Sequence, residues 1–223
     1  MDPEPPRSLR SPPPEEAAPS FGRPGERRHL LLASTSRYRR ELLERLRLPF
    51  GLRRPDVDET PRAGETPREL ALRLALAKAD AVAAADPEAI VIGSDQVADL
   101  DGAAIGKPGD HARATAQLRA MRGRSVVFHT AVAVVCAAGG FRAAEVASVT
   151  VRFRSLSDAE IEHYLRTEQP YDCAGSAKAE TLGIALLDAI DSDDPTALIG
   201  LPLIRTCALL RRAGLDPLAP GVA

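Results

Sequence analysis

At 223 residues, the chain is long enough for one sizeable domain or two small lobes around a real core. A formal net charge of −2 offers no general attraction to nucleic-acid phosphates, and no apolar run approaches the roughly 20 residues of a membrane span. Cys136, Cys173 and Cys207 are odd in number and far apart, reading as thiols of a reducing compartment, and His29, His111, His129 and His163 show no ligand spacing, so neither a disulfide framework nor a histidine metal site is expected.

Residues 1–27 are rich in proline, glutamate and arginine and almost free of large apolar side chains. Such a segment buries too little surface to offset its ordering entropy, so disorder is expected, and it lacks the apolar core of a signal peptide. HLLLA (29–33) reads as the first strand, followed by Ser34-Thr35-Ser36 and a helix over 37–46 with Leu42, Leu43 and Leu46 on its apolar face. A strand, a hydroxyl-rich turn and a helix N-terminus bearing Arg39 and Arg40 suit a phosphate: free backbone N–H groups point at the anion and arginine adds bidentate bonds. A plain serine cap on a basic helix is the alternative; three hydroxyls and two arginines at one turn favour the phosphate. Val57-Asp58-Glu59 is an acidic loop, a weak signal alone. Thr66-Pro67-Arg68-Glu69 is a capping box with proline at the first helical position, opening a helix to about residue 85. Leu70, Leu74, Ala77 and Ala81 are its expected buried face. Lys78 stands at the edge, where it either snorkels to water or reaches a bound phosphate.

The stretch IVIGSDQVADLDGAAIGKP (90–108) is the centre of the chain. Ile90, Val91 and Ile92 make a short buried strand, Gly93 and Ser94 are expected to end it, and Asp95 stands at its carboxyl end, where ligands bind in open α/β sheets. The chain is extended again after Val97, and Asp101-Gly102 signals a hairpin turn. Pairing residue 100 with 103 carries Lys107 opposite Gln96, one residue from Asp95. Strict alternation puts Asp95 and Lys107 on opposite faces, so a shared site requires a bend at Gly106-Lys107-Pro108. A surface salt pair would look the same in isolation.

Asp110 caps the next helix, which carries Ala114, Leu118 and Met121 and closes at Gly123. Two long antiparallel strands follow, over 126–135 and 141–153, joined around Gly139-Gly140. Ser157-Asp158-Ala159-Glu160 is a second capping box, before a helix with Ile161, Tyr164 and Leu165. CAGSAKAE (173–180) is a small-residue loop that permits close approach to a ligand. Residues 184–187 are expected as a strand, Asp194-Pro195 as a turn, and Leu201-Pro202 as the start of a last helix ending at Gly214.

Together LASTSRYRRELL (32–43), VDET (57–60), the Lys78 helix, IGSDQV (92–97), GKP (106–108) and IGLPLI (199–204) resemble the Maf nucleoside triphosphate pyrophosphatases over residues 31–218. CAGSAKAE and DPTALIGLPLI (194–204) resemble the branch acting on 7-methyl-GTP; the dTTP/UTP branch has Gln where Glu180 stands. Ala177 replaces a usual aromatic and Thr181 a usual glycine, departures that bear on base specificity more than on chemistry. The resemblance implies a Maf/ITPase-like α/β fold, with a long twisted mixed sheet and flanking helices forming two lobes around a cleft, over residues 28–218, followed by a short tail at 219–223.

The implied reaction is hydrolysis of the α–β phosphoanhydride of a nucleoside triphosphate, most like 7-methyl-GTP, to the monophosphate and pyrophosphate with a divalent cation, Mg2+ or Mn2+. In that frame Ser34, Arg39, Arg40, Lys78 and Lys107 hold the polyphosphate, Asp95 is the proton acceptor, Glu59 helps hold the metal, and Tyr38, Gln96 and Glu180 read the base. Which carboxylate binds metal and which takes the proton stays open. The expected setting is cytoplasmic, with a nucleoside triphosphate as partner, no nucleic acid or membrane, and homodimerisation open. Two competing readings are dTTP/UTP hydrolysis and a non-catalytic nucleotide-binding regulator of septum formation and cell division. A nucleotide kinase is disfavoured because no GxxxxGK[ST] loop is present.

Overall fold

The computed structural model describes residues 29–219; the disordered segment expected at 1–27 lies outside the described residues. Seven strands form one mixed sheet in the order β2-β1-β3-β5-β6-β7, with β4 on β3. They are β1 (Leu30–Ala33), β2 (Phe50–Arg53), β3 (Ile90–Leu100), β4 (Ala103–Ile105), β5 (Ser125–Cys136), β6 (Phe141–Phe153) and β7 (Leu187–Asp191). The helices are α1 (Arg37–Glu44), α2 (Pro67–Ala85), α3 (His111–Met121), α4 (Asp158–Glu168) and α5 (Leu203–Arg212). β1 lies parallel to both β2 and β3, whereas β3, β5, β6 and β7 are successively antiparallel. This is the mixed α/β sheet with flanking helices expected from the sequence.

The period of two along β3 and β5 divides the core. Val91 and Val97 with Ala131, Ala133 and Val135 face α2, which contributes Leu70, Leu74, Ala75, Ala79 and Val82. Ile90, Ile92, Val132 and Val134 face the opposite way, against Leu42 and Leu43 of α1 and Leu209 and Leu210 of α5. Further along the same long strands, Phe128, Val149, Val151 and Phe153 build a third core with Leu118 of α3 and Ile161 and Leu165 of α4. The long pair β5–β6 runs through all three cores.

Several local expectations change. Gly93 and Ser94 do not end a strand: β3 continues unbroken to Leu100. Gly93 is there for proximity, since a Cβ on it would sit 2.3 Å from the Ala75 carbonyl oxygen and 2.6 Å from the Ala79 nitrogen. The sequence signal for a break was the mark of a helix packed directly on the strand. The buried face of α2 is Leu70, Ala71, Leu74, Ala75, Lys78, Ala79, Val82 and Ala83, so Ala77 and Ala81 are only half-buried and Lys78 lies within the face instead of at its edge. Residues 182–186 form a 3-10 turn with the strand starting only at Leu187, because Gly183 folds back onto the backbone of Lys178, 2.4 Å from its carbonyl oxygen for an ideal Cβ. β2 was not foreseen; it is short, and its residues are half-buried or exposed. Both capping boxes form, Thr66 with Glu69 and Ser157 with Glu160. Among the described residues no helix is long and apolar enough to cross a membrane.

The Gly93 contact makes a stability prediction. Gly93→Ala forces α2 away from β3 and should cost about 1–3 kcal/mol, as overpacking does. For a chain of this size that is a fall in Tm of about 3–10 °C. An unchanged melting curve for this variant would mean that α2 does not sit against the strand as described.

Candidate active site

Register alone locates the site. On one edge of β3, β1 pairs through Ala33 with Gly93, and β4 begins at Ala98, paired with Ile105. The other edge is held by β5 over residues 91–99. Residues 94–97 therefore have strand pairing on one side only, and a gap opens between β1 and β4. Two segments enter it from opposite ends. Ser34 follows the last residue of β1, and Lys107 follows β4 by two residues, level with Gln96 on continued counting although the pairing stops at Ile105. The chain leaves the sheet after Ile105, and Lys107 is exposed.

Asp95 projects into this gap from the α2 face and is buried. Lys78, the ammonium on the buried face of α2, lies 2.6 Å from Asp95 Oδ1 and 2.7 Å from Glu59 Oε1. One cation is thus shared by two carboxylates. Asp95 and Lys78 are nearly enclosed, while Glu59 is 62% exposed and forms the open side of the set. Partial burial pushes the Glu59 carboxyl pKa up, but the Lys78 hydrogen bond and the charges of Lys78, Lys107 and Arg39 outweigh it, so the net shift is downward. Those charges place Lys107 and Arg39 in the same electrostatic field.

The turn after β1 satisfies part of its own hydrogen bonding. The Ser36 N–H donates to Ser34 Oγ at 3.1 Å, and Ser36 caps α1 by accepting from the Arg39 N–H at 3.5 Å. Arg39 is half-buried, and burial lowers its pKa overall against the opposing charges of Asp95 and Glu59. Its Nε donates to the Gly200 carbonyl at 2.9 Å, and Ser94 Oγ donates to the same oxygen at 3.1 Å. Arg40 does not join the set; it is exposed and pairs with Glu44 one turn on, at 2.8 Å. Alternation places Ser94 and Gln96 on the face opposite Asp95. Gln96 Nε2 donates to Thr130 Oγ1 and to the carbonyls of Ala197 and Leu198.

Tyr38 stands in the first turn of α1, between Arg37 and Arg39 in the chain and beside the small-residue loop. The Arg37 guanidinium lies 4.7 Å from its ring centroid and Lys178 Nζ 6.0 Å. Lys178 is held in turn by Glu168 at 3.3 Å. The Tyr38 hydroxyl donates to Asp172 at 3.4 Å and accepts from Arg37 at 2.7 Å and from Cys173 Sγ at 3.6 Å. Burial pushes the Cys173 thiol up to about 12, which keeps it protonated. Glu180 is exposed as a residue, yet its carboxyl is partly enclosed; that desolvation raises its pKa, with Glu168 and Glu41 adding and Lys178 opposing.

Two contributors escaped the sequence reading. Arg73 braces the Glu59 loop, donating to Glu65 through Nε at 2.5 Å and Nη2 at 2.8 Å, and to the Thr60 carbonyl at 3.1 Å. Nothing in its local sequence marks that role. Gly200 stands inside the IGLPLI run, but no pattern of residue types announces that its carbonyl receives Arg39 and Ser94.

Comparison with known proteins fits this geometry. The model of the family described as Maf-like protein matches residues 29–213. A protein of Albidiferax ferrireducens named 7-methyl-GTP pyrophosphatase is 68% identical over 191 residues, covering 86% of this chain and 96% of its own length. A protein of the same name from Polaromonas sp. is 69% identical over 188 residues, covering 84% and 86% respectively. One from Bordetella pertussis is 63% identical over 190 residues, covering 85% and 94%. With the family model spanning the whole sheet and every residue at the β3 gap, the chain belongs to the Maf-like protein family.

Proposed function

We propose that the protein hydrolyses 7-methyl-GTP at the α–β phosphoanhydride, releasing pyrophosphate and the nucleoside monophosphate. The observation that carries the reading is the Asp95–Lys78–Glu59 set at the open edge of β3, flanked by Ser34 and Lys107. A passive binder of polyphosphate gains nothing from buried carboxylate beside the anion, so Asp95 favours turnover over a regulator that only binds. The names of the relatives support the same reaction.

In this mechanism Asp95 accepts a proton from the attacking water as its oxygen bonds to the α-phosphorus and the bond to the bridging oxygen breaks. Lys78, Lys107, Arg39 and the Ser34 turn supply positive charge and donors where negative charge collects on the leaving pyrophosphate. Arg39 reaches that position already fixed by Gly200, so its geometry is set before the ligand arrives. Glu59 and Asp95 offer the hard oxygen donors that Mg2+ or Mn2+ takes, and the two carboxylates already converge on a cation, the Lys78 ammonium. Among the described residues no group of three or more histidine, cysteine or acidic side chains gathers as a metal cage. Glu59 would therefore hold the ion together with phosphate oxygens, and a bound ion would supply charge neutralisation at the phosphates.

The base reading rests on Tyr38 and Glu180. Methylation at N7 makes guanine cationic, and the Tyr38 ring already carries a cation against it, the exposed Arg37 guanidinium. Exchange of Arg37 for the base would retain an attraction of about 0.5–2 kcal/mol. The Glu180 carboxylate adds an opposing charge and accepts from guanine N–H groups. Gln96, turned away from the Asp95 face, would contribute by fixing the 197–198 backbone. The odd number and wide spacing of the cysteines in the sequence suit a reducing, cytoplasmic setting.

Asp95→Asn keeps the shape and an acceptor for Lys78, whose charge stays paired with Glu59, so the protein should still fold, with a lowered Tm. Its kcat should fall about 100- to 10,000-fold with KM little changed. Steady-state pyrophosphate release decides this, and near-normal turnover would remove Asp95 from the chemistry. In a nucleotide panel, 7-methyl-GTP should be turned over well above GTP, dTTP and UTP, and Glu180→Gln should erode that preference because the amide lacks the charge and presents a donor on one side. Equal or faster turnover of dTTP by the unmodified protein would rule out the base assignment.

A further inference from the structure

The segment carrying Lys107 and the loop leading to Glu180 are both irregular backbone, yet they are fastened to each other. The Gly175 N–H donates to the Gly106 carbonyl at 3.4 Å, and the Gly109 N–H donates to the Tyr171 carbonyl at 3.0 Å. Between them stands Gln117, on α3. Its Nε2 donates to the Gly106 carbonyl at 3.1 Å, and its Oε1 accepts from Ser176 Oγ at 2.6 Å. One end of a single amide holds the backbone just before Lys107, and the other holds the small-residue loop.

The loop end of this tie is tightly specified. Ser176 is fully buried and adopts φ 55°, left-handed for a residue with a Cβ. Gly175 before it has φ 66° and lies where a Cβ would meet the Phe128 ring at 3.2 Å. A buried hydroxyl in that conformation persists because its surroundings hold it, and the partner found for it is Gln117. Both ends of the Gln117 amide are satisfied only when the Lys107 segment and the 173–180 loop occupy their present relative positions. The buried Ser176 hydroxyl is costly to leave without its acceptor, so it holds Gln117 in place, and the same side chain carries that constraint to Gly106.

We infer that Gln117 is a positioning residue that sets the spacing between the polyphosphate-holding Lys107 segment and the base-reading loop. The inference rests on the roles given above to Lys107 and Glu180. It assigns to α3, which itself touches neither base nor phosphate in that reading, the job of registering one end of the nucleotide against the other.

A double-mutant cycle with 7-methyl-GTP and GTP as substrates tests it. Gln117→Ala should lower kcat/KM for 7-methyl-GTP about tenfold when Lys107 is present and less than about twofold in a Lys107→Ala background, a coupling expected of residues acting as one unit. The 7-methyl-GTP to GTP preference should fall in step, which a merely structural role would not produce. Gln117→Glu keeps the acceptor for Ser176 but loses the donor to Gly106, so it should behave like the alanine variant and serves in its place if that protein melts early. Equal losses in both backgrounds, or wild-type kcat/KM in a folded Gln117 variant, overturn the inference while leaving the functional reading intact. An unmodified protein that releases no pyrophosphate from any nucleoside triphosphate overturns the functional reading, and this inference with it.

Discussion

A buried lysine shared by two carboxylates constrains everything around it. An ammonium taken out of water costs several kcal/mol unless it is paired, and removing one partner of a buried pair typically costs about 3–5 kcal/mol. Lys78 is nearly enclosed, so α2, β3 and the Glu59 loop must all arrive at one point. Each arrival has its own cause. The Thr66–Glu69 capping box fixes where α2 begins, and hence which turn presents Lys78. Gly93 lets that turn lie on the strand carrying Asp95. Arg73, from the same helix, braces the loop that brings Glu59.

Much of this was legible in the sequence, because the informative signals were local. The capping boxes, the Asp101-Gly102 turn and the Leu100–Ala103 register followed from residue types at fixed spacing. Counting through that register brought Lys107 level with Gln96, which is how the segment enters the gap. What could not be read depended on contacts between distant segments. Gly93 reads as a breaker until α2 is placed against it, and then the same residue explains an uninterrupted strand. The burial of Lys78 was hidden for a related reason: reading apolar residues alone puts Ala77 and Ala81 on the buried face, each one position before the Lys78 and Val82 that pack. Gly200 acts through a backbone oxygen, which no side-chain pattern encodes, and Arg73 meets Glu65 from eight residues away, a spacing that marks no motif.

Alternation along β3 also sorts its polar residues by task. Asp95 faces α2 and the shared cation, whereas Ser94 and Gln96 face the other way and fasten the 197–200 backbone. That backbone in turn receives Arg39 through Gly200. Contact with the shared cation on one face of the strand and support on the other come from three consecutive residues. A change at Ser94 or Gln96 would therefore reach Arg39 through the 197–200 backbone, without touching Asp95 directly.

The gap beside residues 94–97 has a consequence for solubility. A site that lies along a sheet edge exposes backbone able to pair with a foreign strand, and long unpaired edges promote association between chains. Here β1 occupies the edge up to Gly93 and β4 resumes it at Ala98, so the unpaired stretch is shorter than a typical strand of about five or six residues. The buried charges of Asp95 and Lys78 line it. An intruding strand would find too few backbone partners and would have to cover an ion pair. The same interruption that sets Asp95 beside Lys78 thus denies that edge to another polypeptide.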